Sequence, residues 1–416
     1  MIMKPTARHR SAAARGRLPL WALIGLLWAF LPALGAAAQG EVPPAAISQL
    51  ADSLRRLYAP DQRVELFQVD FTTAGRKVML RGVTTSAPAK RALLDGLRER
   101  GYEVMDALSL LPDERMAGGR CYGIVNVSVC NLRTAADFSS EMASQALMGM
   151  PVRLLQDEDW FRVQTPDSYI GWVHHVGIHP VTAAELTAWN QAEKLVVVAP
   201  YGTVYSQADE RSQPVSDCVA GNRLKHLGQK KGFYHVAYPD GREGYLRRAA
   251  ARPERAWREA LKQDERSILQ TAKRLMGVPY LWAGTSSKGV DCSGFVREVL
   301  FEHDILIPRD ASQQACTGQR LDIDPDFGNL RPGDLVFFGR TATAERPERV
   351  VHVALYLGDK RFIHSQGDVH ISSFDPADPL FDAYNLGRLL FAARVLPFID
   401  KQPGLTTTRS NPFYQL

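Results

Sequence analysis

From about residue 64 the chain alternates apolar and polar positions, as a half-buried strand does. Val64-Glu-Leu-Phe-Gln-Val69 and Lys77-Val-Met-Leu-Arg-Gly82 predict two strands, and Ala92, Leu93, Leu94 and Leu97 predict one face of a helix over 87–100. Together they imply a small α/β unit over 40–115. Further on the pattern repeats: Trp160-Phe-Arg-Val-Gln-Thr-Pro-Asp-Ser-Tyr-Ile-Gly-Trp-Val173 aligns without a gap to Phe233-Tyr-His-Val-Ala-Tyr-Pro-Asp-Gly-Arg-Glu-Gly-Tyr-Leu246. Each copy predicts an aromatic strand, a Pro-Asp turn and a short strand carrying Gly-aromatic-aliphatic. A further strand-like piece precedes each, at Met150–Leu155 and Arg223–Leu227, so two small β units are expected over 116–188 and 189–252. Trp257, Ala260, Leu261, Ile268, Leu269, Ala272 and Leu275 then recur near helical spacing. They predict one helix from Glu254 to about Met276, stopped by Gly277-Val-Pro, at the head of a last unit over 253–400. The stretch from Lys401, rich in Pro, Thr and Asn, reads as loose.

The first 38 residues follow another pattern. Five basic residues, Lys4, Arg8, Arg10, Arg15 and Arg17, precede an apolar run from Leu18 to Leu34, and Gly35-Ala-Ala-Ala38 stands just before Gln39. That order predicts a secretory signal peptide over 1–38. The run is short for a membrane span and Pro32 interrupts it, so cleavage is favoured over a stable membrane anchor. The expected localisation is exported, periplasmic or secreted. These five residues equal the net charge of +5, which leaves the remainder neutral and without a general attraction for nucleic acid. With 45% hydrophobic and 23% charged residues, the chain is neither mostly disordered nor a disulfide scaffold. Its five cysteines, at 121, 130, 218, 292 and 316, are an odd number, which leaves at least one thiol unpaired if the chain is exported. Cys121 and Cys130 lie close enough in sequence to pair, but spacing does not fix the geometry a bridge needs.

The chemistry concentrates after Gly277. A Gly- and Ser-rich loop leads into Asp291-Cys292-Ser293-Gly294, and Phe295, Val296, Val299 and Leu300 suit one helical face. Cys292 would then occupy the first helical turn, where unpaired N–H groups and the positive dipole end favour thiolate. The N–H of Cys292 or Ser293 would face an oxyanion forming on an attacked carbonyl. A buried structural cysteine is the bland alternative, and the Gly-rich approach and polar neighbours count against it. A thiol nucleophile needs a base. His352 lies in the strand-like Val350-Val-His-Val-Ala-Leu-Tyr-Leu357, and a Gly358-Asp turn leads to Arg361-Phe-Ile-His364. The turn would bring the histidines together, with His364 fixing the tautomer of His352 as the third member of a triad does. A His–His–Cys metal site competes, but no C-x-x-C or H-x-x-x-H spacing supports it.

These blocks carry a resemblance. Pro279-Tyr-Leu-Trp-Ala-Gly284, Asp291-Cys-Ser-Gly-Phe295, Arg331-Pro-Gly-Asp334, His352-Val-Ala-Leu-Tyr356 and Ile363-His364 resemble the NlpC-type papain-like cysteine peptidases, over about 262–398. The repeated β units resemble tandem bacterial SH3-like barrels, and residues 40–115 resemble BON domains in pattern. The implied fold is multidomain α+β: a small α/β N-terminal unit, two SH3-like β-barrels and a C-terminal papain-like peptidase domain. The resemblance implies Cys292 as nucleophile, His352 as base and acid, His364 as the orienting residue, and Tyr280 with its hydroxyl by the thiol. It implies no cofactor and no metal. Two SH3-like domains before the peptidase resemble the YkfC-like branch. Those enzymes cut between γ-D-glutamate and an L-diamino acid in murein stem peptides, such as L-Ala-γ-D-Glu-diaminopimelate, that carry a free N-terminal L-alanine. Asp310 in Arg309-Asp-Ala-Ser312, Glu141 and Tyr169 match the residues that receive the alanine ammonium. Ala311 stands where a small hydroxyl residue often follows the acid, which puts one substrate hydrogen bond in doubt. Trp282, Asp291 and Ser293 would complete the pocket. A wall-binding module without activity and a thiol-dependent acyl or amide transferase are the alternatives on the same scaffold.

Overall fold

The computed structural model describes residues 44–113 and 118–416; the leader expected over 1–38 lies outside them. The first alternating segments pair as an antiparallel hairpin, Phe67–Ala74 with Lys77–Thr84, and Glu103–Leu110 joins Lys77–Thr84 in parallel. A parallel neighbour requires a crossover, which the helix Ala87–Glu99 supplies. Ser86 caps it by accepting the Ala89 N–H at 3.3 Å, and Ala89, Leu93 and Leu97 are buried. The strand expected from Val64 starts only at Phe67. Residues before it are drawn off the strand path onto the first barrel, where the Ile170 N–H donates to the Arg63 carbonyl at 2.7 Å.

The two copies of the sequence repeat form matching hairpins, Phe161–Gln164 with Ile170–Val173 and Phe233–Ala237 with Glu243–Arg247. Each hairpin belongs to a seven-stranded antiparallel sheet with its own core. The repeated glycines are required by close packing. A Cβ on Gly171 would stand 2.9 Å from Leu132 Cβ, and one on Gly244 would stand 2.5 Å from a Val204 methyl.

The single helix expected over 254–276 is two, Glu254–Ala260 and Glu265–Arg274. The apolar spacing runs on through Leu261, but Asp264 starts a new helix by accepting the Ser267 N–H at 2.8 Å. The break lets the first piece serve the second barrel, with Glu254 binding the buried Arg223 at 2.9 Å, while Ile268 and Ala272 of the second join the core of the C-terminal domain.

That core lies between the helix Cys292–Phe301, every residue of which is buried, and a six-stranded antiparallel sheet. The sheet order is Gln319–Leu321, Leu389–Arg394, Leu335–Arg340, Arg349–Gly358, Arg361–Gln366, Asp368–Ser373. The stretch from Lys401 is not loose. Leu405 is fully buried, Leu306 and Thr406 exchange backbone hydrogen bonds, Thr408 donates to Asp304 at 2.7 Å and Asn411 donates to the Pro166 carbonyl at 2.9 Å. Its polar side chains are spent on backbone and carboxylate partners, so a composition that reads as loose forms a strap from the C-terminal domain to the first barrel. The same two domains are joined by Arg297, which binds Asp167 at 2.9 Å and the Gln145 carbonyl at 3.3 Å.

Candidate active site

Local sequence explains why Cys292 starts a helix. Asp291 is the N-cap, and its Oδ1 accepts the Gly294 N–H at 2.7 Å. Gly294 has to lack a side chain, because a Cβ there would fall 1.9 Å from the Gly284 carbonyl oxygen. The Gly-rich loop is thereby pressed against the first turn. Asp291 also accepts the Ala283 N–H at 2.9 Å and forms a buried ion pair with Arg309, Nη2 to Oδ2 at 2.5 Å. Arg309 Nη1 reaches the Ser293 hydroxyl at 2.9 Å. Asp291 and Ser293 line the cleft as expected, but the Asp291 carboxylate is committed to holding the nucleophile's turn.

The Cys292 sulfur accepts from the N–H groups of Val353 and Ser293, which puts it beside the strand residue that follows His352. His352 Nε2 and His364 Nδ1 are 2.8 Å apart, and His364 Nε2 meets Ser372 Oγ at 3.2 Å. Ser372 in turn hydrogen-bonds Asp382. The row satisfies every partner when His352 carries its proton on Nε2 and His364 on Nε2. His352 Nδ1 is then left as the acceptor. Of the two His352 nitrogens, His364 takes Nε2 and leaves Nδ1 open. Among the described residues no cluster of His, Cys, Asp and Glu could hold a metal ion.

Burial opposes one expectation. It pushes the Cys292 thiol up to about 11, with Asp291 adding to the rise against the Val353 and Ser293 N–H groups. Burial, then His364, holds His352 well below the ordinary imidazole value, and burial with His370 takes His364 down to about 3. Burial therefore works against the thiolate that the helix start favours. Burial favours the neutral form of both the thiol and the imidazole. A consequence follows for pH. A depressed imidazole stays in its basic form as the medium acidifies, so the acid limb of kcat/KM is expected below 6.5, the ordinary value. A limb at or above that pH in a steady-state profile would contradict the buried base.

A cleft of about 540 Å³ runs between the first barrel and the peptidase domain. Cys292, Asp291, Ser293, Trp282, Asp310, Tyr169 and Glu141 all line it. His352 and His364 are buried and, like Tyr280, stand outside the lining; burial, then Cys292 and Asp291, raises the pKa of the Tyr280 hydroxyl. Asp310 Oδ2 accepts from Tyr169 Oη at 3.3 Å, while Glu141 Oε1 accepts from the indole N–H of Trp282 at 2.8 Å. Trp282 is 60% exposed, an open aromatic wall. Sequence reasoning missed Arg309, Ser372, Asp382 and Arg63, the last donating to Asp310 at 2.7 Å.

Residues 277–385 match the NlpC/P60 family, and residues 132–178 match the bacterial dipeptidyl-peptidase SH3 domain. The chain is 27% identical to dipeptidyl-peptidase 6 of Lysinibacillus sphaericus over 276 residues, which cover 62% of this chain and 93% of that one. A solved NlpC/P60 family protein from Bacillus cereus superposes with a TM-score of 0.56 at 25% identity, over 66% of this chain and all of that one. The gamma-D-glutamyl-L-lysine dipeptidyl-peptidase of Bacillus cereus is 31% identical over 237 residues, 55% of this chain and 68% of its own length. With the SH3-like barrel, the papain-like domain and this extent of likeness together, the chain belongs to the NlpC/P60 family and is a cysteine peptidase.

Proposed function

We propose that the chain hydrolyses the bond between γ-D-glutamate and an L-diamino acid, diaminopimelate or lysine, in murein stem peptides. The observation that carries this is one cleft with Cys292, Asp310, Tyr169 and Glu141 in its wall, the Val353 N–H on the Cys292 sulfur, and the preceding residue, His352, bonded to His364. The names of the relatives support the bond and the dipeptide product. Export by residues 1–38 would bring the activity to the wall.

In this reading Cys292 Sγ attacks the γ-carbonyl carbon while His352 Nδ1 takes the thiol proton. The Cys292 N–H at the helix start stabilises the oxyanion. His352 then gives its proton to the leaving amine as the C–N bond breaks, leaving a thioester. Water adds, its proton passes to His352, and breakage of the C–S bond restores the thiol and frees L-Ala-γ-D-Glu. The amino end of the peptide lies toward Asp310, Tyr169 and Glu141. Burial raises the pKa of Asp310 against the pull of Arg309 and Arg63, yet as a carboxylate near neutral pH it attracts an ammonium.

The test is product analysis by mass spectrometry with L-Ala-γ-D-Glu-L-Lys, its diaminopimelate counterpart and the N-acetylated form of each. L-Ala-γ-D-Glu and the free diamino acid are expected, with faster cleavage of the peptides whose amino terminus is free. Equal rates on free and acetylated peptides would remove the amino-terminal assignment, and products carrying an added amine in place of water would point to a transferase.

A further inference from the structure

The N-terminal α/β unit reaches into the cleft through one side chain. Arg63 is gripped on one edge by Asp61, Nε to Oδ1 and Nη2 to Oδ2 each at 2.8 Å, and Gln313 donates to Asp61 at 2.8 Å. The remaining nitrogen, Nη1, donates to Asp310 Oδ2 at 2.7 Å and to Ser312 Oγ at 3.2 Å. The backbone is anchored too. Beside the Ile170 bond to the Arg63 carbonyl, Gln164 donates to the Val64 carbonyl at 2.9 Å, and Leu66 packs with Leu111, Leu155 and Ile170. Both ends of this side chain are fixed.

We propose that Arg63 is a specificity-determining residue: a fixed guanidinium that shares Asp310 with the incoming amino terminus and softens the demand that this terminus be charged. The inference rests on the amino-terminal reading of the Asp310 end. A carboxylate without partners rewards an ammonium and penalises a neutral amide that leaves it buried and bare. Asp310 is not in that position. Arg63 and Tyr169 both donate to Oδ2, and Arg309 Nη1 stands 3.8 Å from Oδ1. From Asp61 through Arg63, Asp310 and Arg309 to Asp291 the charges alternate, with Asp310 in the middle. An ammonium gains less there because it also approaches two cations. An acylated nitrogen loses less because no bare charge remains behind it. Both effects lower selectivity, and both come from a unit of the chain outside the barrel and the peptidase domain.

The experiment compares wild type, Arg63→Gln and Arg63→Lys on L-Ala-γ-D-Glu-L-Lys and its N-acetylated form, with kcat and KM determined separately. Gln keeps a donor for Asp310 and much of the length, which guards against a misfolded variant, and Lys keeps the charge. In R63Q the ratio of kcat/KM, free over acetylated, is expected to rise roughly tenfold through a lower KM for the free peptide, the scale of one charge at a few ångströms. R63K should hold the ratio near that of wild type. A purely structural role would lower kcat on both peptides and leave the ratio where it was. An unmoved or falling ratio in R63Q, or a shift in R63K as large as in R63Q, overturns the inference alone. No cleavage of either peptide by wild type overturns the functional reading and takes this inference with it.

Discussion

Cys292→Ala is expected to lower kcat on L-Ala-γ-D-Glu-L-Lys by about 10⁴-fold or more, since loss of a nucleophile that acts as one unit with its base removes most of the rate enhancement. The effect should be confined to chemistry. The first turn is held by Asp291, Gly294 and Arg309 through contacts that do not involve the sulfur. The residue is 8% exposed, and Ala removes one atom without adding a polar group to the core. Circular dichroism should therefore match wild type while release of L-Ala-γ-D-Glu falls to background. Turnover of the purified variant within about tenfold of wild type would take Cys292 out of the mechanism.

The second large effect is on stability. Arg309→Met strips a buried partner from Asp291, and breaking a buried pair from one side costs about 3–5 kcal/mol because a charge is left uncompensated. Arg309 is 1% exposed and Asp291 nearly as buried, so water does not replace the lost bonds. The denaturant midpoint of the peptidase domain should fall accordingly. The double variant Arg309→Met with Asp291→Asn should recover much of the loss, because the asparagine still caps the helix without a charge. A single variant as stable as wild type would show that the pair does not hold the nucleophile's turn.

The parts of this site that were legible in the sequence are those whose constraints are local. Asp291, Cys292 and Gly294 are spaced by the geometry of one helical turn, and Gly294 is dictated by the Gly284 carbonyl only ten residues earlier. His352 and His364 flank a single hairpin, and the barrels declared themselves because Gly171 and Gly244 meet the same steric need twice. What stayed hidden depends on pairings with no local period. Arg63 meets Asp310 across 247 positions, and nothing in either neighbourhood announces the other. Arg309 was in view beside Asp310, but its partner Asp291 lies 18 residues away on another element. Ser372 and Asp382 extend the histidine pair from beyond the motif. The misread helix had its signal in Asp264, a capping residue passed over because apolar spacing continued across it. The thiolate expectation weighed one side of a balance: helix-end N–H groups favour the anion, and burial at Cys292 opposes them.

The docking of the N-terminal unit bears on how the protein can be dissected. A chain trimmed to begin near residue 118 would keep both barrels and the peptidase domain, yet it would uncover Leu155 and Ile170, which now pack against Leu66 and Leu111. It would also deprive Asp310 of the guanidinium that sits on it. Minimal versions made for crystallisation or assay would thus trade a sticky new patch for an altered subsite, and substrate preferences measured on them would describe the fragment rather than the parent.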